Sequence, residues 1–334
     1  MKKKLFKKAA IVMAVCMAMS MMTGCGAKKE EDTTAAVEDT EEGKEADAED
    51  DEENYDTGDP VLDDPRNADE IGDNELLVAS FGTSFNDSRR LTIGGIEAAI
   101  DKEFGKDYSI RRAFTSQIII DHVNKRDGVL IDNVDTALSR AINNGVKTLV
   151  VQPTTLMNGF EYQELTDTIA KHGDAFEKVS IGEPLLTSDD DFSRVADIIK
   201  DITAEYDDGE TAIVYMGHGT EADSNGVYSK LQGIMDDKGY SNYFIGTVEA
   251  TPSLDDVLAK VKEGNYKKVV LRPLMVVAGD HANNDMAGDE DDSWKTTFEK
   301  EGFEVTCVIE GLGQVPEIQQ IYVEHAQAAI DNLK

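Results

Sequence analysis

From Glu75 onward the chain alternates short apolar runs with amphipathic stretches, and this alternation constrains the fold more than any other feature. Period-two or continuous apolar segments predict strands at 76–81, 109–114, 147–151, 178–181, 212–216, 243–248, 268–271 and 303–309. A 3.6-residue period predicts helices at 88–103, 130–143, 161–172, 190–206, 224–238, 254–263, 293–300 and 315–331. Strands that alternate with helices in this way pair in parallel, because the crossover helices cover both faces of the sheet. The fold class expected is therefore α/β.

The alternation is also a repeat. Leu77-Val78-Ala79-Ser80 runs into Phe81-Gly82-Thr83, as the apolar run 213–217 leads into His218-Gly219-Thr220. Gln152-Pro153 precedes Glu161 by the spacing at which Arg272-Pro273 precedes His281. A third match sets Phe114 opposite Glu249. Two similar Rossmann-like α/β domains with parallel sheets are expected, at 76–185 and 186–334, with a cleft between them. Ligands of such folds bind outside the carboxyl ends of the strands. At these ends the first half carries Phe81, Phe114 and Glu161, whereas the second carries His218, Glu249 and His281. Two imidazoles and a carboxylate suit a divalent first-row metal with open coordination positions. Gly217 and Gly219 clear space beside His218, as Ala278-Gly279 does before His281. The polar stretch 283–292 reads either as a solvated helix start with Asp caps or as a mobile loop serving a cation.

Charge divides the chain differently. The formal net charge is -34, from 67 acidic and 33 basic residues. Residues 1–25 hold five lysines and no acid, followed by an apolar run at 9–22 that is short for a membrane span and ends in Thr23-Gly24-Cys25. This predicts a signal peptide with a lipobox, Cys25 being the lipidated residue and the protein an exported lipoprotein on the extracytoplasmic face of the cell membrane. Residues 26–75 carry 22 acids and four bases, and few large apolar side chains, so a disordered, solvated tether is expected there. The rest carries 45 acids against 24 bases, a poor surface for nucleic acid. Once Cys16 and Cys25 are set aside, Cys307 is left in an apolar run and reads as a buried small hydrophobe.

Other chemistries find no pattern. There is no GxSxG nucleophile context, GxGxxG after the first strand or Walker A lysine, so no nucleotide cofactor is expected. His122 and His172 lie on helical stretches and read as surface or helix-end residues, and His325, on the last amphipathic helix, has no partner in the sequence. Arg111 and Arg112 read either as ion-paired residues or as carboxylate clamps at the cleft.

Ser80-Phe81-Gly82-Thr83-Ser84, Arg112-Ala113-Phe114-Thr115-Ser116, Met216-Gly217-His218-Gly219, Val248-Glu249 and Ala278-Gly279-Asp280-His281-Ala282 together resemble the anaerobic sirohydrochlorin cobaltochelatases, the CbiK type of class II tetrapyrrole chelatase. The resemblance runs from Leu76 to about Ile330. It implies two chelatase-type domains around a tetrapyrrole of the sirohydrochlorin or precorrin-2 type, and Co²⁺ bound through His218, Glu249 and His281. It further implies that His218 accepts protons from the macrocycle, and that Phe81, Gly82, Thr83, Ser84 and Arg112 contact it. Ni²⁺, Fe²⁺ and Zn²⁺ are alternative metals, because donor chemistry alone does not select among them. A homo-oligomer is compatible with this reading. Two departures stand out: Thr154-Thr155 occupies a stretch where the resemblance leads one to expect histidine, and cobalamin assembly is cytoplasmic whereas Cys25 implies export. A surface-anchored carrier of tetrapyrrole or metal, without turnover, is the rival reading.

Overall fold

The computed structural model describes residues 56–69 and 71–333; the lipobox and most of the acidic stretch lie outside them. All eight expected strands form. They are β1 (Asn74–Ser80), β2 (Ser109–Phe114), β3 (Thr148–Pro153), β4 (Lys178–Ile181), β5 (Thr211–Gly217), β6 (Tyr243–Thr247), β7 (Lys268–Pro273) and β8 (Glu304–Cys307). They make two four-stranded, all-parallel sheets of the same topology, β2-β1-β3-β4 and β6-β5-β7-β8.

The helices are α1 (Asn86–Leu91), α2 (Ile93–Phe104), α3 (Gln117–Asp127), α4 (Val134–Asn143), α5 (Phe160–His172), α6 (Asp189–Asp201), α7 (Gly226–Asp237), α8 (Leu254–Glu263), α9 (Trp294–Lys300) and α10 (Pro316–Asp331). The single helix expected at 88–103 divides into two at Thr92, whose hydroxyl donates to the Ser88 carbonyl beside the backbone N–H. Helix α3 carries His122, which the sequence places on a helical stretch without fixing its range. Its run Ile118-Ile119-Ile120 lacks the helical period, and it is defined instead by the Ser116 N-cap and by Gly128 in the left-handed region at its end.

Alternation along the strands splits the core. Leu77, Ala79 and Val151 face a cluster with α4 and α5, while Ala212, Val214 and Met216 face one with α8 and α9. The inner faces, Leu76, Val78 and Val150 of the first sheet with Ile213 and Tyr215 of the second, share one cluster with α2, α6, α7 and α10. Helix α10 closes the chain back on the first half, packing on α2, β3 and β4. Its buried Tyr322 donates to the carbonyls of Thr154 and Thr155 at 3.0 and 3.2 Å.

The described part of the expected tether is folded. Residues 56–69 dock as a strap, with a 3-10 turn at Pro60–Leu62 and Asp63 buried. Asp63 accepts from Arg112 at 2.6 and 3.0 Å and from Arg89 at 2.6 Å. Arg112 also donates to both oxygens of Glu97, at 2.7 and 2.8 Å. Two buried cations thus face two buried anions, an arrangement in which removing one partner typically costs ~3–5 kcal/mol. Burial alone would raise the Asp63 carboxyl, but Arg112 and Arg89 more than offset that and hold it below its ordinary value. The strap's carbonyls are used as well: Arg111 donates to Arg66 O at 2.7 Å and to Ala68 O. A composition that fails to bury apolar surface is therefore ordered here by charge. Arg111 and Arg112 are spent on this junction, so neither is a carboxylate clamp at the cleft.

Candidate metal site

The repeat extends beyond the strands to single backbone hydrogen bonds, which corrects one correspondence. Thr115 N donates to Ser80 O at 2.9 Å, as Val248 N does to Gly217 O at 3.0 Å. Ser116 N donates to Phe81 O at 3.3 Å, as Glu249 N does to His218 O at 2.9 Å. The residue matching Glu249 is thus Ser116, two places after the expected Phe114, because Ser80 pairs with Phe114 and Gly217 with Thr247. The other two matches, Phe81 with His218 and Glu161 with His281, agree with the strand registers.

His218 follows β5 directly. Its Nδ1 lies 2.8 Å from the carbonyl of Gly219, so Nδ1–H donates there and the lone pair is on Nε2. Gly219 takes φ of +91°, and its N–H donates to the hydroxyl of Tyr228 at 3.2 Å. A Cβ on Gly217 would stand 2.2 Å from the Tyr228 ring, which is buried, so glycine is required at that position. The Glu249 main chain is tied to His218, which brings Oε2 within 3.9 Å of His218 Nε2. The rings of His218 and His281 meet edge to face with centroids 4.7 Å apart. The three residues expected to converge do so, and each side chain is partly exposed, at 48%, 36% and 34% for His218, Glu249 and His281.

The sequence reading does not single out Asp285. The stretch after His281 forms a π-helical turn at Ala282–Met286, with Ala282 and Met286 buried, and the helix α9 that follows is capped by Ser293 rather than by an Asp. The turn brings Asp285 Oδ2 within 2.7 Å of His281 Nδ1, which fixes the ring and turns Nε2 outward. Burial alone would depress the His281 imidazole, but Asp285, with Asp280 and Glu249 farther off, holds it above the ordinary histidine value. Asp280, His281 and Asp285 together offer ligand atoms within 4.8 Å of one another. The available signal is His-x3-Asp, a one-turn spacing.

The remaining candidates separate by burial. Of the loop after β1, Phe81 is 37% exposed, while Thr83 and Ser84 are 3% and 6% exposed. Gly82 takes φ of +111° with its open side against the Phe114 ring. Thr83 accepts from Phe85 N, and Arg126 donates to Ser84 O at 2.5 Å, so these two shape the loop and only Phe81 presents a side chain outward. Arg112, 1% exposed and fully engaged with Asp63 and Glu97, cannot meet a ligand in the cleft. Thr154 bonds to Ser80 at 2.8 Å and is buried. His325 does have partners, Asp191 at 3.3 Å and Glu183 O at 3.1 Å. Cys307 is half-buried, and burial pushes its thiol up to about 11.

A family model described as cobalt chelatase (CbiK) matches residues 74–331. The sirohydrochlorin cobaltochelatase of Salmonella typhimurium is 33% identical over 256 residues, 77% of this chain and 96% of that protein. The sirohydrochlorin cobaltochelatase CbiKC of Nitratidesulfovibrio vulgaris is 28% identical over 264 residues, 77% of this chain and 91% of that protein. Among solved structures, SirB from Bacillus subtilis with Fe³⁺ aligns at TM-score 0.55 and 12% identity, covering 78% of this chain and 97% of that one. At such identity the likeness concerns the fold alone.

Proposed function

The chain belongs to the cobalt chelatase (CbiK) family, and from that premise we propose that it is a metal chelatase that inserts Co²⁺ into sirohydrochlorin. The observation that carries this reading is the meeting of His218, Glu249 and His281 at the carboxyl ends of the second sheet. Co²⁺ is a substrate here. Imidazole and carboxylate donors suit a borderline cation, and Ni²⁺, Fe²⁺ and Zn²⁺ compete for the same set.

Insertion replaces two pyrrolic N–H bonds by metal–nitrogen bonds and releases two protons. Each imidazole has its Nδ1 engaged by a fixed acceptor, so Nε2 is the working nitrogen of both. His281 and Glu249 would hold the cation with His218; as the cation passes to the ring nitrogens, the His218 Nε2 lone pair is released from it and takes one pyrrolic proton, and the second proton leaves to solvent. Phe81, at the matching strand end of the first half, offers an apolar edge to the macrocycle.

Optical turnover assays of the protein with sirohydrochlorin and each metal test the reading. His218→Ala should lower the rate at saturating Co²⁺ by roughly 10²–10⁴-fold, the span of general-base contributions. Absence of turnover in the wild-type protein, with stoichiometric binding only, would make it a carrier.

We also read residues 1–25 as a lipoprotein leader and Cys25 as the anchor to the extracytoplasmic face of the membrane, on the strength of the lysines, the short apolar run and the Thr-Gly-Cys ending. Cys25→Ser should move the protein from the membrane pellet to the soluble fraction; full retention in the pellet would reject the anchor.

A further inference from the structure

We propose that the strap 56–69, which lies outside the family match at 74–331, positions the cleft loop 81–84 through Asp63 and Arg89. The inference rests on the reading that a tetrapyrrole lies against Phe81 of that loop.

The path is a chain of short contacts between buried groups. The strap is fixed to the start of α1 by Asp87 N donating to Thr57 O at 2.8 Å and by the Asn86 amide donating to Gly58 O at 3.1 Å. Beyond the 3-10 turn, Asp63 receives Arg89 Nε at 2.6 Å. The same guanidinium donates Nη1–H to the carbonyl of Thr83 at 3.1 Å and Nη2–H to Asn86 Oδ1 at 2.5 Å. Arg89 is fully buried, and the carboxylate that holds its planar fork in this orientation comes from the strap. Thr83 in turn stands where a side chain on Gly279 would need to be, its Oγ1 2.9 Å from that site, and Gly279 lies two residues before His281. The strap thus sets the orientation of Arg89, and Arg89 holds the Thr83 carbonyl at the middle of a loop whose ends are tied by Ser116 N on Phe81 O and by Arg126 on Ser84 O, opposite the stretch that carries His281.

The arrangement separates two quantities. The metal donors stand on the second half, whereas the strap and its relay stand on the first. Loosening the strap should therefore disturb how the macrocycle is seated more than how the cation is held.

The test uses the full chain with Asp63→Asn, which keeps the shape but weakens the hold on Arg89. Without any tetrapyrrole, amide hydrogen exchange at 82–85 should rise about tenfold as the loop loses its fixed carbonyl. KM for sirohydrochlorin should rise about tenfold with kcat within about twofold, and Co²⁺ affinity by calorimetry should stay within about twofold. Arg89→Lys provides a second variant, because it keeps a cation opposite Asp63 but lacks the fork that reaches Thr83; the same changes are expected. Should Asp63→Asn fail to fold, the lysine variant decides. Unchanged exchange and KM in a folded variant would overturn the proposal, as would equal losses of Co²⁺ affinity and KM accompanied by a lower melting temperature. A wild-type protein that does not bind sirohydrochlorin would reject the functional reading instead, and the exchange comparison would still decide the role of the strap.

Discussion

Glu75, the second residue of β1, is almost fully buried, and its Oε2 has no hydrogen-bond partner. Burial raises its carboxyl to about 7, against an opposing pull from Arg111 and a further push from Asp132. The sign follows from linkage: below about pH 4.5 both folded and unfolded chains hold the proton, and between 4.5 and 7 the unfolded chain sheds it first. Stability therefore falls as pH rises through that window, by up to ~3 kcal/mol. Glu75→Gln should match the wild type near pH 4 and exceed it by about 1–3 kcal/mol at pH 8, measured by urea denaturation at both pH values. A second residue-scale prediction concerns Asp285, whose carboxylate orients His281. Asp285→Asn should weaken Co²⁺ binding about 10–100-fold, as is typical when such a partner is lost, and unchanged calorimetric affinity would remove the orienting role. The meeting of His218, Glu249 and His281 was legible, because they differ in kind from the residues at matching strand ends in the first half. Their supports were not. Asp285 needs a π turn to reach His281, and Asp63 sits in a run of acids whose composition argues for solvation. A single buried carboxylate with two arginine partners leaves no trace in a local average.

The strands were legible at the level of elements because parallel, doubly covered strands are continuous apolar runs whose flanks are turns. What local pattern could not reach was the extent of helix α3, set by its caps, and the destination of α10. Its amphipathic period says that it packs but not on which sheet, and it packs on the first half through Ile318, Ile321 and Tyr322. Removing residues 316–334 should uncover Leu76, Val78 and Val150 and abolish cooperative thermal unfolding. Tyr322→Phe is the mild version: it leaves the Thr154 and Thr155 carbonyls without their phenolic donor and should cost about 1–2 kcal/mol. A truncated chain that still melts sharply near the wild-type temperature would show that α10 is dispensable.

For the whole molecule, charge is the governing quantity. Residues 76–334 carry 45 acids against 24 bases, and three arginines of the first half, Arg89, Arg111 and Arg112, are buried in structural contacts. A cation is attracted to such a surface, whereas a polycarboxylate macrocycle is repelled. Screening should act on the two in opposite directions: between about 0.02 and 0.2 M salt, KM for the tetrapyrrole should fall while Co²⁺ binding weakens. A tetrapyrrole KM that rises with salt would mean that local cations dominate at the cleft. The return of α10 to the first half also sets a timetable for biosynthesis. A ribosome that has finished β3 has about 180 residues still to add before α10 is complete, roughly ten to thirty-five seconds at ordinary elongation rates. Throughout that interval the inner face of the first sheet lacks its final cover, so the nascent chain stays open to chaperones until α10 has been made.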